Sequence, residues 1–116
     1  MSLGSPNITT TVSGVNYTYT PTKNVGEYVF TNSPAGLPIL LQLKSTNTAS
    51  KSRFVAEARW QVAAVGTQPE KTARVYVVVD APDHPDVTDA IIETKVKELS
   101  FLLSAANIAK LKRDEV

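Results

Sequence analysis

Three consecutive segments in the middle of the chain alternate between apolar and polar residues. The clearest is SRFVAEARWQVAAV, residues 52–65, in which every second residue from Phe54 to Val62 is apolar. The residues between them include Arg53 and Arg59. Successive side chains of a strand point to opposite faces, so this segment predicts a strand that buries one face and exposes the other.

The same alternation occurs in the neighbouring segments. ILLQLKST (39–46) and TARVYVVVD (72–80) each place apolar residues on one face and mostly polar or basic residues on the other. The turn segments NTASK and GTQPE, rich in small and polar residues, separate the three segments. The pattern therefore predicts an antiparallel meander with one solvated face.

Shorter β-type segments precede the meander. Residues 8–13 and 15–20 are rich in Thr, Val and Tyr and flank Gly14, which predicts a hairpin. The segment EYVFT, residues 27–31, predicts a further strand, and the Pro and Gly content of residues 32–38 predicts a loop after it.

The periodicity changes after the meander. From Asp86 to Ala106, apolar residues recur at steps of three and four, which predicts an amphipathic helix. Residues 104–107 bend or interrupt that helix, and residues 108–113 form a second short helical segment. Its Lys and Arg residues suit the negative end of the helix dipole.

These elements predict an α+β fold. It consists of an N-terminal β-hairpin and an antiparallel β-meander sheet followed by C-terminal helices. The length suits a single domain over residues 1–116, with the β-sheet region at 1–81 and the helices at 86–113.

One chain does not provide enough cover for its own apolar sheet face. A sheet of five or six strands is about 24 to 29 Å wide at about 4.8 Å per strand, whereas one helix is about 10 Å across. A single helix therefore leaves about half of that face open, and exposed apolar patches of this size usually mark an interface. We infer that a second copy covers the remainder, so the protein is expected to be a homodimer.

The amino-acid composition limits which classes of protein this chain can belong to. Hydrophobic residues make up 42% of the 116, a globular composition, and the absence of cysteine excludes disulfide and thiolate chemistry. No apolar run approaches the length of a membrane span, and the first residues do not resemble a signal peptide. The Asn-x-Thr sequences at Asn7 and Asn16 are accordingly interpreted as chance occurrences.

The net charge of +1 is unevenly distributed. Residues 1–81 contain 7 basic and 4 acidic residues, whereas residues 82–116 contain 5 basic and 7 acidic ones. Residues 42–76 alone contain 6 basic and 2 acidic residues. The positive charge is therefore concentrated in the predicted meander.

The order of these segments resembles that of the coat protein of the single-stranded RNA bacteriophages, the levivirus-like coat proteins. The resemblance lies in LQLKST, SRFVAEARWQV and KTARVYVVVDAP, followed directly by the helix DAIIETKVKELSFLLSA, and it covers nearly the whole chain. It implies an obligate, interlocked dimer in which two sheets join edge to edge and each chain's helices cross the other's sheet.

The resemblance also implies a role in the virion. Dimers would build an icosahedral shell in the cytoplasm of a bacterial host, and the exposed sheet face would line the interior and contact genomic RNA. Binding of an RNA hairpin operator that represses translation of the replicase is a further implication. The loop at residues 66–70 is shorter than is common in the family, and the family's base pocket has no residue-by-residue match.

The face that would meet RNA carries cations, amides and an aromatic ring. Cations next to phosphates release counterions, and Gln bonds base edges or sugar hydroxyls. Tyr76 matches a tyrosine on the last strand that stacks an unpaired base in the family. The residues predicted to bind RNA are Gln42, Lys44, Arg53, Arg59, Gln61, Arg74 and Tyr76.

The dimer interface is predicted from the apolar positions of the sheet and the helix. These residues are Phe54, Trp60, Ile91, Leu99, Leu102 and Leu103. Trp60 falls on the apolar side of its strand and is assigned to the core rather than to a ligand platform.

Two alternatives remain open. In the first, the basic face is an ordinary solvated surface whose arginines pair with Glu57 and Asp80. Alternatively, the chain is a dimeric β-rich protein-interaction module that neither forms shells nor binds RNA.

An enzyme is not predicted. His84 is the single histidine and lies in the segment PDHPD, where Asp83 and Asp86 offer only near neighbours in sequence as metal ligands. No Gly-rich phosphate loop occurs, and no nucleophile with a base partner is apparent. We therefore expect no catalytic residues, metal, cofactor or small-molecule substrate.

Overall fold

A computed structural model describes residues 7–115 of the chain. Within that range, all six strands form one antiparallel sheet, and each strand is bonded to its neighbours in sequence. The strands are β1 (Ile8–Val12), β2 (Val15–Pro21), β3 (Glu27–Phe30), β4 (Ile39–Asn47), β5 (Lys51–Val62) and β6 (Lys71–Pro82). The helices are α1 (Asp89–Leu102) and α2 (Ala105–Lys112). The predicted α+β fold is confirmed.

Contacts divide the chain into two compact units. Within the described residues, one comprises 7–48 together with Ser52–Asp80, and the other comprises Ala49–Lys51 and 81–115. The boundary coincides with the predicted end of the β-sheet region. A single domain over residues 1–116 stays a prediction.

The first hairpin closes through a two-residue turn. Ser13 and Gly14 both have positive φ angles, 52° and 78°, as a type I′ turn requires. Val12 is thereby paired with Val15, and the register continues to Ile8 opposite Tyr19.

The register between β4 and β5 determines which side chains share a face. Leu40 lies opposite Arg59, and Thr46 lies opposite Arg53. On the other side of the sheet, Ile39 lies opposite Trp60. Directly paired residues of antiparallel strands project from the same face, so the predicted alternation of β4 and β5 is confirmed.

Because side chains alternate along a strand, every second residue of each strand extends one of these two faces across the sheet. We call one side the polar face; it carries Glu27, Val29, Leu40, Gln42, Lys44, Thr46, Arg53, Val55, Glu57, Arg59, Gln61, Thr72, Arg74, Tyr76, Val78 and Asp80. The other side is the apolar face; it carries Tyr28, Phe30, Ile39, Leu41, Leu43, Phe54, Ala56, Ala58, Trp60, Ala73, Val75, Val77 and Val79.

Few of these apolar residues are fully buried. Within residues 7–115, Tyr28 and Ala81 are the only buried apolar residues. On the apolar face, Phe54 is 39% exposed and Val75 is 58% exposed. Most residues of the apolar face are therefore at least partly accessible.

Both helices begin at capping side chains, and their starts differ from the prediction. The Thr88 hydroxyl accepts a hydrogen bond from the Ile91 amide, so α1 begins at Asp89, and its predicted start at Asp86 is wrong. The Ser104 hydroxyl accepts from the Asn107 amide, so α2 begins at Ala105 rather than at residue 108.

The predicted interruption between the helices is confirmed at Ser104. There the Asn107 side chain donates to the Leu102 carbonyl oxygen at 2.7 Å. This bond satisfies a carbonyl at the end of α1 that has no partner within the helix.

Candidate nucleic-acid interface

The polar face brings together all seven residues predicted to bind RNA. Gln42 and Lys44 lie on β4, Arg53, Arg59 and Gln61 lie on β5, and Arg74 and Tyr76 lie on β6. Strands in a sheet are about 4.8 Å apart, so side chains on β4, β5 and β6 form one continuous surface.

The cations of this surface differ in their partners. Arg53 donates two hydrogen bonds from Nη1 to the carboxylate of Asp80, at 2.8 and 3.0 Å. The pairing of an arginine with Asp80 that the solvated-surface alternative predicts is thus observed. Arg53 and Asp80 are each about half exposed, which limits the contribution of this pair to stability.

Arg59 has a different partner from the one that the solvated-surface alternative predicts. Its Nη2 lies 4.0 Å from Oε2 of Glu27 on β3, and no ion pair with Glu57 occurs within residues 7–115. The pairing with Glu57 that the solvated-surface alternative predicts is therefore not observed in the described chain. The Arg59 contact is long, so most of its guanidinium donors remain available to a ligand.

Glu27 is the charged residue of this face that sequence reasoning missed. Its Oε1 accepts hydrogen bonds from the Asn24 amide at 3.0 Å and from the Thr22 hydroxyl at 2.9 Å. The bond from Asn24 and then that from Thr22 hold the pKa of Glu27 below its ordinary value. Burial acts in the opposite direction, and the charge of Arg59 lowers the pKa by a smaller amount than burial raises it. Glu27 is therefore a fixed negative charge beside Arg59.

Lys44 and Arg74 carry charges that the sheet does not neutralise. Both side chains are exposed, and neither has an acidic partner in the described part of the chain. Tyr76 follows Arg74 on the same face of β6 and is 57% exposed. An exposed ring beside an unpaired guanidinium suits contacts to the base and phosphate of an unpaired nucleotide.

A depression of about 290 Å³ opens at one end of the polar face. It is lined by Pro38, Leu40, Arg59, Trp60, Gln61, Thr72 and Arg74. Three of the residues predicted to bind RNA, Arg59, Gln61 and Arg74, thus meet around a single concavity. The alternation of β5 and β6 indicated their common face, but it did not indicate a depression or the contribution of Pro38.

The residues predicted to form the dimer interface are at least partly accessible. Phe54 and Trp60 lie on the apolar face, with Trp60 half-buried. The helical residues are 46% to 58% exposed; they are Ile91, Leu99, Leu102 and Leu103. These positions are open to a partner, and their role in a dimer stays a prediction.

The segment around His84 has a local role. Nδ1 of His84 accepts a hydrogen bond from the Asp86 amide at 3.0 Å, which fixes the turn before α1. The residues that the structure describes contain no group of three or more acidic, His or Cys side chains placed to hold a metal ion. Neither of the two described helices is long and apolar enough to cross a membrane.

Comparison with solved structures relates this architecture to virus particles. A chain of the virus-like particle of Wenzhou levi-like virus 1 superposes with a TM-score of 0.72 at 14% identity, covering 90% of this chain and 94% of that one. The chain has a levi-like particle-protein fold. This confirms the resemblance at the level of the fold.

Two further particles give weaker matches. The virus-like particle of Wenzhou levi-like virus 4 matches with a TM-score of 0.57 at 15% identity, covering 84% of this chain and 75% of that one. That of Beihai levi-like virus 21 matches with a TM-score of 0.53 at 13% identity, covering 95% and 94%. No protein-family model and no curated protein matches the sequence.

Proposed function

We propose that this chain is the capsid protein of a levi-like single-stranded RNA virus. Its role is structural: copies of the chain assemble into the virion shell. The observation that carries the proposal is the superposition on a virus-like particle chain with a TM-score of 0.72 over 90% of this chain. The match includes nearly the whole length of both chains, as expected if assembly is the function of the entire fold.

A homodimer is the proposed building unit. The exposed apolar residues of the apolar face and of α1 provide the surface for a second copy. Strand β6 lies at the edge of the sheet and offers its free backbone groups to an equivalent strand. Pairing of two such edges joins two sheets, and helices from the partner cover the apolar face.

Genomic RNA is the proposed partner of the polar face. In this proposal the polar face lines the inside of an icosahedral shell. The shell assembles in the cytoplasm of the bacterial host. The support is the unneutralised charge of Lys44 and Arg74 beside the amides of Gln42 and Gln61. Charges of this kind give affinity for phosphates without sequence preference and with strong dependence on salt. That is the affinity needed to package a long genome.

Expression in bacteria tests this proposal. We expect round particles that elute early in size exclusion, appear closed in electron micrographs and absorb strongly at nucleic-acid wavelengths. A small dimer free of nucleic acid would instead support the protein-interaction module. Empty closed particles would support the capsid role and contradict the role of the polar face.

A further inference from the structure

We propose that two loops at opposite ends of the sheet join one copy of this chain to the next, head to tail. The Lys23 loop comprises residues 22–26, and the Glu70 loop comprises residues 63–70. In this contact the lysine of one copy pairs with the glutamate of another, and the exposed valines of the two loops pack together. This inference rests on the proposed function, because it identifies a contact that joins dimers into the shell.

The Lys23 loop is held in shape by its own hydrogen bonds. The Thr22 hydroxyl and the Asn24 side-chain amide both donate to Oε1 of Glu27, at 2.9 and 3.0 Å. The backbone amides of Thr22 and Glu27 donate to the carbonyl oxygens of Glu27 and Asn24, at 3.0 and 3.2 Å. Val25 at the tip is fully exposed, and Lys23 is exposed beside it. Because these polar groups are bonded to one another, a partner can cover the tip without leaving them unsatisfied.

The Glu70 loop is also closed by hydrogen bonds. The backbone amides of Val65 and Gln68 each donate to the other residue's carbonyl oxygen, at 2.9 and 2.8 Å. Val65 is 73% exposed, and Glu70 is exposed as well. This loop therefore presents an apolar side chain and a carboxylate, which complement the valine and the ammonium group of the Lys23 loop.

The opposite charges of the two loops cannot pair within one chain. Among the described residues, neither Lys23 nor Glu70 has an ion-pair partner. The Lys23 loop is bonded to Leu43 of β4, whose amide donates to a carbonyl oxygen of the loop at 2.8 Å. Leu43 lies opposite Ala56, six residues before the end of β5, where the Glu70 loop begins. Six residues span about 20 Å along a strand, so the two charges can pair only between copies.

A contact between two unlike loops suits a closed shell. Such a contact is heterologous, and heterologous contacts generate rings when the rotation from one copy to the next closes. The proposed dimer uses the edge of β6 and the apolar face, whereas the loops lie at the ends of strands. One copy can therefore make both contacts, and the opposite charges fix how neighbouring copies are aligned.

Reassembly of particles from charge-reversed variants tests the contact. Particles made in bacteria are dissociated and freed of RNA, and the dimers are mixed with one fixed RNA at increasing protein concentration. Light scattering records the concentration at which particles form. K23E and E70K each place like charges opposite one another, and each is expected to raise that concentration about ten-fold or more. K23E combined with E70K restores opposite charges and is expected to assemble like the unchanged protein.

Two further variants make this expectation specific. K23E combined with E98K has the net charge of the unchanged protein, but Glu98 lies on α1, outside both loops. This combination is expected to assemble as poorly as K23E alone. V25D places a charge at the fully exposed tip, so it is expected to leave the dimer and its circular dichroism unchanged and to hinder assembly.

The possible outcomes separate this contact from the capsid role. Three results would overturn the contact while leaving the capsid role intact: normal assembly of K23E and V25D, absence of rescue by E70K, or equal rescue by E98K. Unchanged protein that forms no particles would overturn the proposed function, and this contact with it.

Discussion

Gly26 occupies a position where a side chain would displace the backbone of β4. Its φ angle is +75°, and an added Cβ would press against the carbonyl oxygen of Leu43. The Leu43 amide meanwhile donates to the Gly26 carbonyl oxygen at 2.8 Å, which holds the two segments together. This contact anchors the start of β3, and with it Glu27, beside the meander.

We predict that Gly26→Ala destabilises the protein more than Gly36→Ala. Gly36 has the same φ of +75° but has no atom within 4 Å of an added Cβ, so its variant pays only the backbone strain of about 1 kcal/mol. Gly26→Ala adds overpacking, about 1 to 3 kcal/mol more. Urea unfolding at one fixed protein concentration measures both, and equal losses would contradict the close approach.

At the residue scale, the sequence predicts faces better than it predicts partners. Strict alternation correctly places Lys44, Arg59 and Arg74 on one face, because strand periodicity is local. The neighbour of Arg59 is Glu27, and their proximity depends on how β3 and β4 align after the intervening loop. Such a register follows from three-dimensional packing, which single-strand periodicity does not encode.

At the element scale, the strands match the predicted segments, and the helices differ at their starts. Strand β5 ends at Val62, so the predicted extension to residue 65 is wrong. There Val65 instead forms an isolated bridge with Gln68 across the turn. The helix starts were misplaced because apolar periodicity continues into Val87, whereas the boundary is determined by the Thr88 cap.

Helix α1 is expected to contribute to the dimer through its apolar residues. We predict that Leu102→Asp abolishes soluble dimer, because it places a charge on a side chain that is 57% exposed in one chain and covered in the proposed dimer. Ser100→Asp is the matched control: it adds the same charge to the same helix, about 200° away around the axis.

Size exclusion with light scattering measures both variants, and circular dichroism reports their fold. Dimer is expected to persist for Ser100→Asp and to be lost for Leu102→Asp. A Leu102→Asp variant that remains dimeric, or that gives a well-folded monomer, would contradict the interlocked arrangement.

At the scale of the whole molecule, the strand order and the two C-terminal helices follow from periodicity and turn residues alone. The prediction of a second copy rests on the ratio of sheet width to helix diameter. Exposed side chains on the apolar face agree with the expectation that one chain's helices leave part of that face uncovered. The depression lined by Arg59 and Arg74 does not follow from periodicity, because it depends on the start of β4 and on Pro38 before it.

The polar face of the sheet is proposed to contact RNA inside a particle. Ultraviolet cross-linking of purified particles, followed by mass spectrometry of RNA-bound peptides, tests it most directly. We expect cross-links in peptides from β5 and β6, concentrated at Gln61 and Tyr76, and none in peptides from α1. Cross-links confined to the helices, or spread evenly over both faces of the sheet, would contradict it.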